Sequence, residues 1–369
     1  MGLLTVLVFL GVMVLITTER VHRTAAALVG AAVLMLAKVF SFDEALEYVD
    51  FNTIGVLVGM MLFVAVIKES GMFEYVAIKS AKLVNADPWK MMVIFVIITA
   101  VLSSCLDNVT TVLLVGPMTI AISNLLEVNP VPYLLMQILA SNVGGTATLI
   151  GDPPNIMIGS ATGLTFLDFV KNTGGAVILV LIVQIIMMKF MYKKSITATE
   201  EAKAKVMALD EKKAITDLRL MKIGIGVIIY IIVGFLLHDK LGIQSAVIAL
   251  SAAAFMLIVK GKKVESLIED VEWPTILFFI SLFIIVGGMQ KTGIITAMSE
   301  ALIDFTEGHE LLTILVILWA SAIISSILDN IPFVATMIPL ILAMKAQGMD
   351  VELLWWALSL GACLGGNGT

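Results

Sequence analysis

The stretch AVLSSCLDNVTTVLLVGPMTIAI at 100–122 returns as AIISSILDNIPFVATMIPLILAM at 322–344, a shift of 222 residues. Ser103, Ser104, Asp107, Asn108 and Pro117 fall on Ser325, Ser326, Asp329, Asn330 and Pro339. Thr53 falls on Thr275 and Gly71 on Gly293; with one residue of slip, GGTAT at 144–148 falls on GGNGT at 365–369. Shared apolar composition does not reproduce polar pairs and prolines in register, so the chain is a duplication and both copies must fold to one plan. Copy one runs past Thr148 to about Tyr192, whereas copy two reaches Thr369, the counterpart of Thr148. The counterpart of Tyr192 would be position 414, so the repeat predicts about 45 further residues (a half-helix and a full helix) and the chain reads as part of a longer protein.

Composition decides which solvent such copies suit. Hydrophobic residues make up 60% of the chain and charged ones 14%, with a mean hydropathy of +1.05. Soluble domains carry about a quarter charged residues. Separate apolar runs of about 15–20 residues, each ended by charges or by Gly and Pro, suit a bilayer instead. The run from Gly2 to Thr18 has no basic residue before it and no A-x-A site after it, and reads as a retained helix rather than a signal peptide.

Helices are expected near 2–18, 24–40 and 51–69, with a helical stretch of mixed character at 71–86. Two short arms, 89–106 and 112–126, follow around the polar tip DNVTT; an interrupted helix at 133–170 and a full one at 174–191 complete the copy. If the arms form a re-entrant hairpin, a copy crosses the bilayer five times, and if both span, seven. Either count is odd, so copy two is expected to be inverted. The expected fold class is an all-α polytopic membrane protein of two inverted repeats, each with a re-entrant helical hairpin and a broken transmembrane helix. The first repeat takes residues 1–192, a cytoplasmic linker 193–218, and the second repeat, C-terminally incomplete, 219–369.

Placing the loop at 17–23 in the cytoplasm puts 18 of the 23 Lys and Arg inside: Arg20 and Arg23, four over 68–90, nine over 189–222 and three over 260–263. Lys38, Lys171, Lys240, Lys291 and Lys345 remain outside. That bias is what the positive-inside rule requires. Outer connections are correspondingly acidic, as in Asp43, Glu44, Glu47 and Asp50. The alternating charges of the linker read as a solvated helix.

An aspartate in hydrocarbon costs about 2.5–3.5 kcal/mol even on a lenient insertion scale. Asp107 and Asp329 each sit between apolar arms and are expected to face a polar cavity, near the midplane where inverted repeats gather their sites. The competing reading is that they only cap the hairpin tips. Capping alone does not require that both copies keep a carboxylate followed by a carboxamide, Asn108 and Asn330. The second element is SNVGGTATLIGDPPN at 141–155, where paired glycines and then Gly-Asp-Pro-Pro-Asn cannot continue a helix. Irregular backbone at membrane depth is tolerated only where it is buried or lines a cavity. The break frees carbonyls for a cation and aims a half-helix N-terminus, beginning near Asn155, at an anion or polar solute. Candidate substrate- or ion-binding residues are therefore Asp107, Asn108, Thr110, Thr111, Asn142, Gly144, Gly145, Thr146, Thr148, Asp152, Asn155, Asp329, Asn330, Gly365, Gly366, Asn367 and Thr369. A sodium ion is expected, if anywhere, at Asp107, Asn108, Asp329 and Asn330, which offer hard oxygen ligands.

The rest of the chain excludes other chemistry. Cys105 and Cys363 lie singly in apolar runs, and His22, His238 and His309 are far apart, which suits neither a disulfide framework nor a metal cluster. No G-x-x-x-x-G-K-[ST] phosphate loop occurs, and no GxGD or G-x-S-x-G pattern with a partner base, so no enzyme is expected.

Through SCLDNVTTVLLVGPMTIAI, SNVGGTATLIGDPPNIMIG, SSILDNIPFVATMIPLI and GACLGGNGT the chain resembles the ion transporter superfamily. Within it, the chain is similar to the arsenite permease and sodium/proton antiporter branch, with a citrate-transporter-like domain, and above all to P-protein-like permeases. The resemblance implies two inverted repeats, each with a re-entrant hairpin and a broken helix. In the superfamily's dicarboxylate symporters the tip motif reads Ser-Asn-Thr; here Asp107-Asn108-Val109 and Asp329-Asn330-Ile331 occupy those positions, which ranks a sodium/dicarboxylate (citrate-like) symporter last. The leading expectation is a secondary active permease of a small inorganic ion or oxyanion, such as arsenite or antimonite, coupled to H⁺ or Na⁺. A Na⁺/H⁺ antiporter and an anion channel on the same scaffold are the alternatives. No cofactor is expected beyond the coupling H⁺ or Na⁺. The expected partners are the lipid bilayer and a small ionic substrate, with no nucleic acid; a homodimer stays open, as does a separate ATPase subunit in the arsenite-type case. The expected location is the inner cell membrane, crossed many times.

Overall fold

The computed structural model describes residues 1–261 and 264–368, and all regular structure among them is helical. Copy one contains α1 (Gly2–Thr17), α2 (Arg23–Leu36), α3 (Phe42–Glu47), α4 (Phe51–Lys68), α5 (Met72–Leu83), α6 (Pro88–Ser103), α7 (Asn108–Leu125), α8 (Val131–Gly145), α9 (Pro153–Thr162) and α10 (Phe166–Tyr192). The linker holds α11 (Glu200–Met207) and a 3-10 turn at Glu211–Ala214. Copy two contains α12 (Leu218–Leu241), α13 (Ser245–Lys260), α14 (Val264–Glu269), α15 (Trp273–Lys291), α16 (Ile294–Phe305), α17 (Glu310–Ser325), α18 (Asn330–Ala346) and α19 (Glu352–Gly365), with a 3-10 turn at Gly366–Gly368. The starts of α2 to α7 at 23, 42, 51, 72, 88 and 108 reappear 222 residues on at 245, 264, 273, 294, 310 and 330, the starts of α13 to α18. The two copies therefore share their helix boundaries as well as their motifs. Gly71 and Gly293 both precede their helix with left-handed backbone, φ +75° and +78°, a conformation glycine adopts without steric cost.

Among the described residues, α4, α7, α10, α12 and α15 are long and apolar enough to cross a membrane. Helices α6 and α17, at 16 residues each, reach only about 24 Å at 1.5 Å per residue, short of a hydrocarbon core of about 30 Å.

Several sequence expectations are corrected. The second arm starts at Asn108 rather than at 112, so most of DNVTT is helical: Asp107 is the N-cap of α7 and Asn108 to Thr111 form its first turn. Helix α2 stops at Leu36, and the expected 24–40 segment gives way to α3, which a capping box between Ser41 and Glu44 starts. The interrupted helix ends at Thr162 rather than 170. Gly163 turns the chain at φ +75°, and a Thr165–Asp168 capping box starts α10 as one 27-residue helix. The half-helix begins at Pro153 rather than near Asn155, because proline fits a helix's first turn, where its missing N–H is no loss. The linker helix α11 is not solvated all round; Ala202 and Val206 are buried, and α11 packs on α5 and α7.

The chain divides into two compact units that alternate along the sequence. One comprises Val58–Asp152 and Thr165–Val271, the other Met1–Leu57, Pro153–Leu164 and Glu272–Thr369. In the first, α8 lies along α6 through polar groups spaced four apart on one face. Tyr133 donates to the Pro88 carbonyl (2.9 Å), Gln137 to Thr99 Oγ1 (3.2 Å), and the Ser141 carbonyl accepts from Ser103 Oγ (2.6 Å). Just beyond, a Cβ on Gly144 would lie 2.2 Å from the Ala100 carbonyl oxygen, so only glycine admits this approach. In the second unit, α19 meets α17 through small residues instead. Cβ atoms on Gly361 and Gly365 would each lie 2.5 Å from the Leu318 and Ala322 carbonyl oxygens. Ala322 is the repeat counterpart of Ala100, and Gly365 that of Gly144 after the one-residue slip. Such seams hold helices together in a solvent that offers no hydrophobic drive between them.

Candidate functional site

In the unit built on α6, α7 and α8, the tight α6–α8 seam sets the site. The Gly144 contact and the reciprocal approach of Gly145 and Gly151 bring the backbone of the break against the end of α6. A Cβ on Gly151 would lie 2.5 Å from the Gly145 carbonyl oxygen and 2.7 Å from that of Ser103. Thr148 Oγ1 then donates to the Ser104 carbonyl at 2.6 Å, and Thr146 Oγ1 to the Asn142 carbonyl at 2.8 Å. Thr173 on α10 closes the far side by donating to the Thr146 carbonyl at 2.9 Å.

Onto this frame α7 presents its first turn. Asp107 Oδ1 accepts the Thr110 backbone N–H at 2.8 Å, so the capping role weighed from sequence is real. Asn108 Nδ2 donates to Asn142 Oδ1 at 2.9 Å and to Asp152 Oδ1 at 3.4 Å. Asp107 is 5% exposed and Asp152 fully buried. Thr111 is fully buried too, and its Oγ1 has no hydrogen-bond partner among the described residues. Two buried carboxylates beside two half-buried carboxamides gather several oxygen acceptors in one unit, and a buried carboxylate is tolerated only where hydrogen bonds or charges meet it. The carboxylate, carboxamide and hydroxyl oxygens among them are of the kind that take a hard cation. Of the sequence-derived candidates, Asp107, Asn108, Thr110, Thr111, Asn142, Gly144, Gly145, Thr146, Thr148 and Asp152 all belong to this unit.

The other unit holds Asn155, Asp329, Asn330, Gly365, Gly366 and Asn367; Thr369 lies outside the described residues. Asn155 is buried on α9, where its Oδ1 accepts from Ser359 Oγ at 2.7 Å and Cys363 Sγ at 3.6 Å on α19. Gly365 serves the seam with α17. Asp329 Oδ1 caps α18 through the Ile331 N–H at 3.3 Å, and its Oδ2 is bound by Arg23 Nη1 at 2.8 Å. The same guanidinium donates through Nη2 to Thr275 Oγ1 at 3.3 Å and lies over the Phe278 ring at 5.4 Å. Thr275 in turn donates to Glu272 Oε2 at 3.1 Å. Arg23 and Asp329, together with Glu19, His22, Ile327 and Leu328, line a cavity of about 450 Å³. Their side chains are 41% and 24% exposed, and a pair so accessible contributes about 0–1 kcal/mol to stability.

Sequence reading missed Arg23, which it counted only among the loop charges. One signal was present: Thr275 follows Glu272 as Thr53 follows Asp50 at the repeat positions, and Thr53 Oγ1 donates to Asp50 Oδ2 at 2.5 Å. Both copies thus anchor this helix start on an acidic residue. Arg23, in contrast, maps onto Ser245, so the guanidinium belongs to one copy alone.

Comparison with known proteins places the chain among transporters. The family model described as "Citrate transporter" matches residues 13–361. An uncharacterized transporter of Mycobacterium tuberculosis is 41% identical over 374 residues, covering 100% of this chain and 87% of the relative. A 46 kDa membrane protein of Mycobacterium leprae is 37% identical over 375 residues with the same coverage. The P protein of Homo sapiens is 32% identical over 444 residues, 97% of this chain and 53% of that protein. Family and relatives point to transport rather than catalysis and to a multi-pass membrane protein. On a family match that spans residues 13–361, the chain belongs to the citrate transporter family of the ion transporter superfamily.

Proposed function

We propose that the protein is a secondary active transporter of a small inorganic ion or oxyanion, coupled to H⁺ or Na⁺, in the inner cell membrane. The observation that carries this reading is the hydrogen-bonded group at the break after α8, where half-buried Asn108 joins half-buried Asn142 and fully buried Asp152, with buried Asp107 next to it in the chain. A carboxylate desolvated there gains most by taking up a proton or a hard cation, which makes Asp107 and Asp152 the coupling groups. Backbone oxygens of the non-helical stretch between Thr146 and Asp152 would supply further ligands. The family description adds citrate to the substrates to be tried, although Asp in place of Ser at both tips argues for an inorganic ion. An anion channel is the second reading, favoured by the water-accessible guanidinium of Arg23.

Counterflow in proteoliposomes tests the choice, using arsenite, antimonite, citrate, succinate, chloride and sodium with and without a pH gradient. Saturable exchange that responds to the pH or sodium gradient supports the transporter. A non-saturating current with no fixed stoichiometry supports the channel.

A further inference from the structure

In the unit built on α6, α7 and α8, Gln137 on α8 is 2% exposed. Its Nε2 donates to Thr99 Oγ1 at 3.2 Å, and its Oε1 has no hydrogen-bond partner among the described residues. The carboxamide lines a cavity of about 20 Å³ together with Thr119 of α7, and apolar side chains such as Phe73, Phe95 and Val115 form the rest of the wall. Thr119 is 1% exposed and donates to the Val115 carbonyl at 2.9 Å, which leaves its Oγ1 able to accept. An unpaired amide oxygen is costly in such surroundings. One water needs about 10–15 Å³ and at least two polar partners, and this cavity supplies both. A hard cation gathers about six oxygens, whereas two oxygen-bearing side chains line this wall. Reversing the amide would exchange an acceptor for a donor in the cavity, and water serves either. The repeat places Ile341 at Thr119 and, after the one-residue slip, Leu358 at Gln137; both are fully buried. Copy two thus drops the two polar groups together, as befits groups that serve each other through a shared partner.

We infer that this cavity is a binding site for a single ordered water, which bridges Gln137 Oε1 on α8 and Thr119 Oγ1 on α7 by donating one hydrogen to each. The inference goes beyond the transport reading and holds whichever ion is carried. Direct hydrogen bonds from Tyr133, Gln137 and Ser103 fasten α8 to α6. At the level of Gln137, α7 is joined to α8 through an exchangeable molecule instead. Such a bridge is nearly as favourable as a direct bond. Helix α7 begins at Asn108, about 16 Å along its axis from Thr119 at 1.5 Å per residue. The water therefore supports the arm that carries the first Asp-Asn pair without touching that pair.

The test is X-ray radiolytic footprinting of the purified full chain, which makes hydroxyl radicals from bound water and oxidises the side chains beside it. Phe95, 3% exposed, is expected to be labelled above Phe63 and Phe235, which are fully buried. In the double variant Gln137→Leu with Thr119→Val, the label on Phe95 should fall to the level of those two. Thermal midpoints give a second readout. Thr119→Val should lower the midpoint in the wild-type background, where it strips the water of a partner, and lower it less in the Gln137→Leu background. Gln137 bonds to Thr99 and Thr119 to Val115, so non-additivity between them together with a labelled Phe95 reports the bridge. A role in packing alone would leave Phe95 unlabelled. If the variants do not fold, the contrast of Phe95 with Phe63 and Phe235 in the wild type decides. Labelling of Phe95 no higher than theirs, or an equal cost of Thr119→Val in both backgrounds, would overturn the proposal.

Discussion

Asn108 Nδ2 donates to Asn142 Oδ1 at 2.9 Å, which ties the second residue of the first Asp-Asn motif to the last full turn of α8. The carboxamide thus joins hairpin to break, while the carboxylate beside it caps α7. This division of labour explains why a pair of residues, rather than a single Asp, stands at the position.

Removing the tie should be felt in stability as well as in transport. Asn108→Ala leaves polar groups of Asn142 and Asp152 short of a donor, a loss of about 1–3 kcal/mol for buried groups. Asn142→Ala should cost a similar amount. A double-mutant cycle on thermal midpoints should return a coupling of about 0.5 kcal/mol or more, and simple additivity would mean the contact is energetically idle.

Glycine substitutions separate seam from surface. In an exposed helix interior Gly→Ala gains about 1 kcal/mol, and Gly175 on α10 has nothing within 4 Å of an added Cβ. At Gly144 and Gly365 the added Cβ would sit 2.2 and 2.5 Å from carbonyl oxygens, so overpacking of about 1–3 kcal/mol outweighs the propensity gain. Gly144→Ala and Gly365→Ala should lower the thermal midpoint and Gly175→Ala should hold or raise it. Equal behaviour at all three sites would contradict the close-packed seams.

The linker should loosen in acid. Lys82 Nζ lies 2.6 Å from Glu211 Oε2 and donates to the Leu209 carbonyl at 3.0 Å. The Lys82 hydrogen bond, foremost, holds the Glu211 carboxyl below its ordinary value of 4.5. A carboxyl lowered in the folded state contributes stability above its ordinary pKa, and that contribution is lost as pH falls through the lowered value. Limited proteolysis or amide exchange over 209–216 should therefore be slow and flat near neutrality and rise below the carboxylate range. Lys82→Ala should be fast already at neutral pH.

Topology follows from the distribution of Lys and Arg. In a chain whose Cys105 and Cys363 are replaced, a cysteine at Lys203 on the linker should react with impermeant reagent only from the cytoplasmic side. One at Lys171 should react only from the opposite side. Reaction of both from one side would contradict the odd crossing count expected of copy one and with it the inversion expected of copy two.

The duplication, the broken helix after Gly145 and the carboxylate-carboxamide pairs were legible because each is a local pattern or a fixed offset. Helices α3 and α14, at six residues, are too short to show a period, although Ser41 and Glu44 spelled a capping box. The end of α9 was hidden because the run from Leu164 to Val170 stays largely apolar across it; Thr165 and Asp168 were the available signal. Arg23 and Asp329 stand 306 residues apart, and no periodicity in a single sequence reports a contact of that range. Nor could sequence separate capping by Asp107 and Asp329 from a role in ion binding, since the two call for the same side chain.

The most direct test compares sodium- and proton-driven counterflow in proteoliposomes for the wild type, Asp107→Asn and Asp152→Asn. Asparagine at 107 retains the cap on α7 but cannot exchange a proton or carry the charge. Folded protein with normal thermal stability and a loss of ion-driven accumulation of at least about tenfold are expected for either variant. Accumulation with unchanged dependence on pH and sodium in both variants would contradict a coupling site at the break after α8.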